Sequence, residues 1–358
     1  MTRPRGSRRD KRLESVEAQL DAVVATGVPG VVAVAVGPDG HFEAAAGVAD
    51  LRTGEALTVD HRFRIASVTK IFVAALVLQL VADGLLDLDG DAAPFVEDVT
   101  IRQLLNHTSG LPDFIDDVVA FFEPYRADPA HGWELQRHDE LRLIMEKPRL
   151  FAPGEGWSYR GSNYVVLGLV VEATTGMSLR DALRERIVAP LGLERTDLDE
   201  GALRHDCARG YLPGDNPILP GGPEPVDVTE LDVPFYRAGG GIVSTAGDIA
   251  ELLRALLGGR LLPGPVRGEM LRAVDSDWEE TDRYGLGIGE ITSLMGRQRS
   301  TCGAAWGHLG FAVGYTTIAL GSEDGERQVV ICANGSLVSG TEAFWDATGR
   351  LAWRLYCT

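Results

Sequence analysis

The feature that most limits what this chain can fold into is an apolar run at residues 71–82, unbroken from Ile71 to Leu78 and then interrupted only by Gln79. A membrane span needs ~20 such residues, so the run reads as a buried helix and not as an anchor. A chain of 358 residues is long enough to surround it, as one large domain or two ordinary ones. With 45% hydrophobic and 24% charged residues, the composition is that of a soluble globular protein, which excludes disordered and collagen-like classes.

The two ends of the chain mirror each other. Apolar positions Leu13, Val16, Leu20, Val23 and Val24 recur at helical spacing and stop at Gly27 with Pro29 beyond, which predicts a helix over 12–26. Residues 31–36 form a small apolar strand, Pro38-Asp39-Gly40 has turn chemistry, and 42–48 is expected to pair back as a hairpin. At the other end, 311–320 and 328–333 read as two strands around a polar turn, followed by an amphipathic helix over 341–356. Between the ends, periodic segments at 101–106, 139–146, 161–174 and 178–189 are helical and are joined by Pro- and Gly-rich connections. The expected fold class is α+β, an antiparallel β-sheet flanked by helices with a mostly helical insertion. The expected division is a basic, disordered arm at 1–12, a sheet domain of 13–89 plus 236–358, and a helical insertion domain at 90–235, with an active site between them.

Charge narrows the list of partners. Against 34 basic side chains stand 52 acidic ones, a net of −18, and a field of that sign repels nucleic acid and anionic lipid. Residues 1–12 are a local exception, with Arg3, Arg5, Arg8, Arg9, Lys11 and Arg12 against Asp10. Ser7-Arg8-Arg9-Asp10-Lys11 has the outline of a twin-arginine export signal, yet Glu14, Glu17 and Asp21 follow where an apolar stretch is needed. No export signal is read, so a cytoplasmic location is expected, with the four cysteines (Cys207, Cys302, Cys332, Cys357) as reduced thiols. No close pair of Cys or His ligands occurs, so neither a metal nor a cofactor is expected. Gly239-Gly240-Gly241 lacks the preceding strand and following Lys-Ser/Thr of a phosphate loop and reads as a tight loop facing a cleft.

Lysine occurs only at Lys11, Lys70 and Lys147, while every other basic residue is arginine, so a lysine here is informative. Lys70 follows Ser67 by three residues at the entrance to the buried helix, a spacing that stacks the two side chains on one face. A desolvated ammonium loses its proton where a guanidinium does not, so Lys70 is suited to take the Ser67 proton. The helix N-terminus favours the resulting alkoxide and a nearby oxyanion.

Phe63-Arg64-Ile65-Ala66-Ser67-Val68-Thr69-Lys70 resembles the nucleophile segment of serine β-lactamase-like and penicillin-binding-protein-like enzymes. It is most similar to the class C β-lactamase, D-Ala-D-Ala carboxypeptidase and esterase group. Four further segments follow in that group's order: Leu104 to Leu111 (Leu-Leu-Asn-His-Thr-Ser-Gly-Leu), Phe151-Ala152-Pro153-Gly154 leading to Tyr159, Ala238 to Thr245, and Gly307-His308-Leu309-Gly310. The resemblance implies a β-lactamase/transpeptidase-like fold and assigns Ser67, Lys70 and Tyr159 as catalytic, with Tyr159 exchanging protons with nucleophile and leaving group. It further implies an oxyanion hole from the N–H groups of Ser67 and Phe311, and a substrate-binding set of Arg160, Gly161, His308, Leu309 and Gly310.

Two departures from the group's pattern bear on substrate. Gly161 stands where related enzymes carry the Asn of Tyr-x-Asn, and Leu309 and Phe311 stand where carboxypeptidases place hydroxyl residues, so a more apolar pocket is expected. The expected function is a serine hydrolase or acyltransferase that forms a Ser67 acyl-enzyme from an ester, thioester or amide. A D-Ala-D-Ala carboxypeptidase, D-amino-acid peptidase or β-lactamase is an alternative, and a catalytically idle binding protein is an alternative of another class. The expected partner is a small-molecule or peptide acyl substrate, with no nucleic acid and no membrane, and the oligomeric state is left open.

Overall fold

The computed structural model describes residues 8–38, 40–114, 123, 137–199, 206–219, 221–231, 237–278, 281–335 and 342–358. Residues 1–7 of the basic arm, Asp39 of the first turn and Thr341 of the last helix lie outside them. Helix α1 spans Arg8–Val24.

A nine-stranded antiparallel sheet organises the chain. Its strands are β1 (Gly30–Gly37), β2 (Gly40–Asp50), β3 (Glu55–Ala56), β4 (Val274–Asp275), β5 (Arg283–Tyr284), β6 (Gly289–Ile291), β7 (Ala305–Ala312), β8 (Tyr315–Gly321) and β9 (Gln328–Ala333). They lie in the order β3-β2-β1-β9-β8-β7-β6-β5-β4, so the two ends of the chain meet at the β1–β9 pair, with Val31 opposite Ala333. Alternation along β1 explains why it reads as a continuous apolar run: Val31, Ala33 and Ala35 pack under α1 and α5 (Glu342–Tyr356), while Val32 and Val34 enter the core on the opposite face. A strand covered on both faces has no polar side to display.

The opposite face carries α2 (Thr69–Ala82) and α4 (Ala246–Leu257). Helix α2 is buried along nearly its whole length, as its sequence requires, and the Gln79 amide donates to the carbonyls of Arg186 (3.3 Å) and Leu261 (3.5 Å). Helix α3 (Gly161–Thr175) and the shorter helices Ile101–Leu105, Arg137–Met145 and Leu179–Leu183 come from the helix-rich middle of the sequence. Among the described residues no helix is long and apolar enough to cross a membrane.

Two expectations are corrected. The segment 311–320 is not one strand: β7 ends at Ala312 and β8 starts at Tyr315, around Gly314 at φ +86°, whose bare Cα lies against the backbone of Gly210. Nor are all the thiols reduced, since Cys302 and Cys357 form a disulfide that ties the end of α5 to the segment before β7. Cys207 and Cys332 take no part in that disulfide.

Candidate active site

Ser67 lies at the entrance to α2, as its spacing to Lys70 indicated, in a single 3₁₀ turn, Ala66–Val68, immediately ahead of the helix. The turn is strained, because Ala66 takes φ +49°, a region that a residue with a Cβ occupies only when its surroundings enforce it. Contacts on both sides of it hold it in place. Phe63 and Arg64 pair with Ser244 and Val243 in a small three-stranded sheet. Ile65 N–H donates to the Ile242 carbonyl (3.0 Å), and Ile242 N–H donates to Thr69 Oγ1 (3.0 Å). The Arg64 side chain is buried and anchored on Asp199 (3.2 Å) and the Leu231 carbonyl (3.0 Å).

From the other side β7 presses on the turn. Gly310 approaches the Ile65 carbonyl so closely that no Cβ fits between them, and Ala66 Cβ lies 3.4 Å from where one would stand. Gly310 therefore permits the strand and the Ser67 turn to touch. Strand β6 pairs with β7 only from Ala305 to Gly307, so among the described residues the stretch from His308 onward has no partner on that edge.

Lys70 is 2% exposed, and its Nζ lies 3.1 Å from Ser67 Oγ and 2.6 Å from the Gly239 carbonyl. Burial lowers its pKa from 10.5 to about 7, with the charge of Asp113 acting in the opposite direction. A neutral Lys70 amine donates to Gly239 and offers its lone pair to the Ser67 hydroxyl, which is the arrangement a general base needs. The Gly239–Gly241 triplet thus does face the cleft, but as the end of a helical turn, Arg237–Gly240, that presents a carbonyl to the lysine.

Tyr159 borders the same space. Lys70 Nζ lies 4.9 Å from the centre of its ring and 5.4 Å from that of Tyr164. Trp278 stacks on Tyr159 at 4.2 Å and 18°, and the rings of His107 and His308 follow at 4.4 and 5.8 Å. The segment that carries Tyr159 is clamped by residues 107–113. Ser158 N–H donates to the His107 carbonyl (3.0 Å), while Arg160 N–H (3.2 Å) and the Asn163 amide (2.9 Å) both donate to His107 Nδ1. Nδ1 is therefore the unprotonated nitrogen, and burial together with the Lys70 charge holds the ring neutral, well below its usual pKa. Asp113 closes the clamp by accepting from Gly161 N–H (3.1 Å), Ser162 N–H (3.2 Å) and the Ser162 hydroxyl (2.9 Å) at the start of α3.

The third segment behaves differently from the expectation. His308 is fully buried. It donates from Nδ1 to the Leu309 carbonyl (2.5 Å) and accepts the Tyr284 hydroxyl at Nε2 (3.0 Å), and burial pushes its pKa to about 3. It shapes the wall and is not a base. Leu309 does not line the cleft: with Phe311 it belongs to the opposite face of β7, packed beneath α1 and α5, where the Phe311 ring meets Trp345 edge-on at 5.5 Å. Side chains alternate along a strand, so with His308 and Gly310 toward the site, Leu309 and Phe311 must point away. The apolar surface near Tyr159 comes instead from Trp278, which no motif marks. Arg160 contributes its backbone N–H to His107, and its charge registers at that ring. Among the described residues no three His, Cys, Asp or Glu side chains are grouped to hold a metal ion.

The model of the Beta-lactamase family matches residues 13–348. The chain belongs to that family. In sequence this Beta-lactamase family member is 35% identical over 260 residues to penicillin-binding protein 4 of Amycolatopsis lactamdurans, covering 67% of this chain and 62% of that protein. It is 31% identical over 326 residues to esterase EstB of Burkholderia gladioli, covering 78% and 80%. In structure it is similar to D-amino acid amidase from Ochrobactrum anthropi SV3 complexed with L-phenylalanine amide, with a TM-score of 0.83, 28% identity and coverage of 96% and 97%. The expected β-lactamase/transpeptidase-like fold therefore holds, and with it the chain joins a family of hydrolytic enzymes.

Proposed function

We propose that this protein is a serine hydrolase in which Ser67 attacks the carbonyl of an ester or amide and carries the acyl group. Lys70 takes the Ser67 proton, and Tyr159 passes a proton to the leaving group. The N–H groups of Ser67 and Phe311 hold the oxyanion, and release of the acyl group goes to water or to an acceptor amine or alcohol. The observation that carries this reading is the 3.1 Å contact between Ser67 Oγ and a buried Lys70 whose pKa is lowered to about 7. An idle binding protein has no need to hold a lysine in that state. The site sits where the sheet, with α2, meets the helix-rich middle of the chain, which supports a division into a sheet domain and a helical insertion.

The likeness to EstB favours esters, and the aromatic wall of Tyr159 and Trp278 favours a substrate with an apolar group. Amide turnover is the second reading, supported by the structural likeness to D-amino acid amidase. The cytoplasmic setting expected from the sequence sits poorly with the Cys302–Cys357 bond, because such bonds persist in oxidising compartments, and we infer that the protein works where that bond survives.

Intact-mass spectrometry after incubation with a p-nitrophenyl ester, a D-amino acid amide, a penicillin and an acyl-D-Ala-D-Ala peptide tests the reading. An adduct or product with the wild type that is absent with Ser67→Ala is expected. Turnover that survives Ser67→Ala, or no reaction with any of the four, rejects it.

A further inference from the structure

Among the described rings in contact with Tyr159, that of Trp278 is the one solvent reaches. His107, Tyr284 and His308 meet the Tyr159 ring at 4.4, 6.3 and 5.8 Å, and all three are fully buried. Trp278 lies closer, stacked at 4.2 Å and 18°, and is only half-buried. It is also held in place. Thr281 N–H donates to the Trp278 carbonyl (3.1 Å), the Ser276 hydroxyl donates to the Thr281 carbonyl (2.7 Å), and the Thr281 methyl fills the space that Gly289 of β6 leaves by lacking a Cβ. A second ring contact, to His308 at 5.3 Å, fixes the side chain. A ring anchored in this way offers apolar surface without the entropic cost of ordering it when a ligand arrives.

The place of Trp278 decides which half of a substrate it touches. The acyl carbon sits at Ser67, and the leaving group departs toward the group that protonates it. In the proposed reaction that group is Tyr159, so a ring stacked on Tyr159 borders the leaving group and not the acyl chain. The same step run backwards admits an acceptor on the same side. The acceptor oxygen or nitrogen bonds to the acyl carbon, its proton passes to Tyr159, and the bond to Ser67 breaks as Ser67 Oγ regains a proton from Lys70.

We propose that Trp278 is the specificity-determining residue on the leaving-group side, and that the acyl-enzyme passes its acyl group to aromatic alcohols or amines in preference to small ones. The inference rests on the Ser67 acyl-enzyme and on Tyr159 serving the leaving group. An aromatic group packed on the open part of the Trp278 ring gains apolar contact and a favourable ring geometry, which together give about a tenfold preference over an alcohol without a ring.

The test uses p-nitrophenyl acetate as donor and benzyl alcohol or methanol, at equal concentration, as acceptor, counting acetate ester and free acetate for the full-length wild type, Trp278→Leu and Trp278→Phe. The wild type is expected to acetylate benzyl alcohol about tenfold more often than methanol. Trp278→Leu stays apolar but has no ring, and is expected to bring the two alcohols within about threefold of each other, while Trp278→Phe keeps most of the preference. The ratio of acylation rates by p-nitrophenyl phenylacetate and p-nitrophenyl acetate reads the acyl side, and is expected to stay where it is in both variants. Equal capture of the two alcohols by the wild type overturns the proposal without any variant, as does release to water alone. A preference that survives Trp278→Leu, or a variant that shifts the acyl ratio and leaves the acceptor ratio, overturns it as well. If p-nitrophenyl acetate leaves no Ser67 adduct on the wild type, the hydrolase reading fails and this inference with it; if Ser67 reacts and the two alcohols are captured alike, only the assignment of Trp278 fails.

Discussion

Replacing Lys70 with arginine isolates the function of the lysine lone pair. Burial brings Lys70 from 10.5 to about 7, a difference of roughly 5 kcal/mol between its two protonation states. At neutral pH about half of the lysine is then free base, against about 3 parts in 10⁴ for an unperturbed amine, a gain of about 10³ in active form. Arginine keeps the charge and the donors but cannot accept the Ser67 proton. Lys70→Arg is therefore expected to slow acylation by about 10³-fold, or about 4 kcal/mol in barrier, within the range that general bases supply. Stopped-flow release of p-nitrophenolate from about pH 5 to about pH 9, with intact mass to count Ser67 adducts, reads both the rate and its pH limb. The wild-type rate is expected to rise about tenfold per pH unit below about pH 7 and to level off above it. A Lys70→Arg rate within about tenfold of the wild type, or a wild-type profile flat across that range, would refute the reasoning.

Three further outcomes follow from the same packing. The depressed Lys70 pKa means that the unfolded chain binds the extra proton between about pH 7 and 10.5, so stability rises with pH across that window. Lys70→Met, inactive by the argument above, is expected to be more stable than the wild type by up to a few kcal/mol below pH 7, with a gap in melting temperature that closes toward pH 10; a constant gap contradicts it. Gly310→Ala drives a Cβ into the Ile65 carbonyl, and is expected to cost about 1 to 3 kcal/mol by denaturant titration and to slow Ser67 acylation more than a change elsewhere in β7. Removing the disulfide with Cys302→Ser and Cys357→Ser frees a loop of 55 residues, and is expected to cost up to about 4 kcal/mol with acylation nearly unchanged, since the bond lies at the end of α5 and packs on the α1/α5 face of the sheet, while the residues flanking Ser67 belong to the other core.

How much of this was legible in the sequence depends on the range over which each feature is decided. Features set within a few residues read correctly: the buried helix of residues 71–82, the β1–β2 hairpin and the Ser67–Lys70 stack all follow from local spacing, and the structure alters them by a residue or two. The break at Gly314 was missed because the apolar run continues through it to Tyr315, although a glycine at φ +86°, packed against Val228 and the backbone of Gly210, marks the turn in the structure. The Cys302–Cys357 bond has the same origin, since four sparse cysteines carry no pairing signal until the fold brings two of them together.

Leu309 and Phe311 show a different limit. Periodicity states that neighbours in a strand face opposite ways but not which face is the cleft, and with both faces of β7 covered by protein the sequence has no polar side to break the tie. The tie is broken by Gly310. Only a residue without a side chain can meet the Ile65 carbonyl, so position 310 must face the Ser67 turn, and 309 and 311 must then face α1 and α5. The apolar character first assigned to the pocket through Leu309 and Phe311 belongs to the core, and the apolar surface beside Lys70 is Trp278 on Tyr159. Substrate preference in this chain is therefore to be sought in the segment around Trp278, while β7 meets the Ser67 turn through the bare backbone of Gly310.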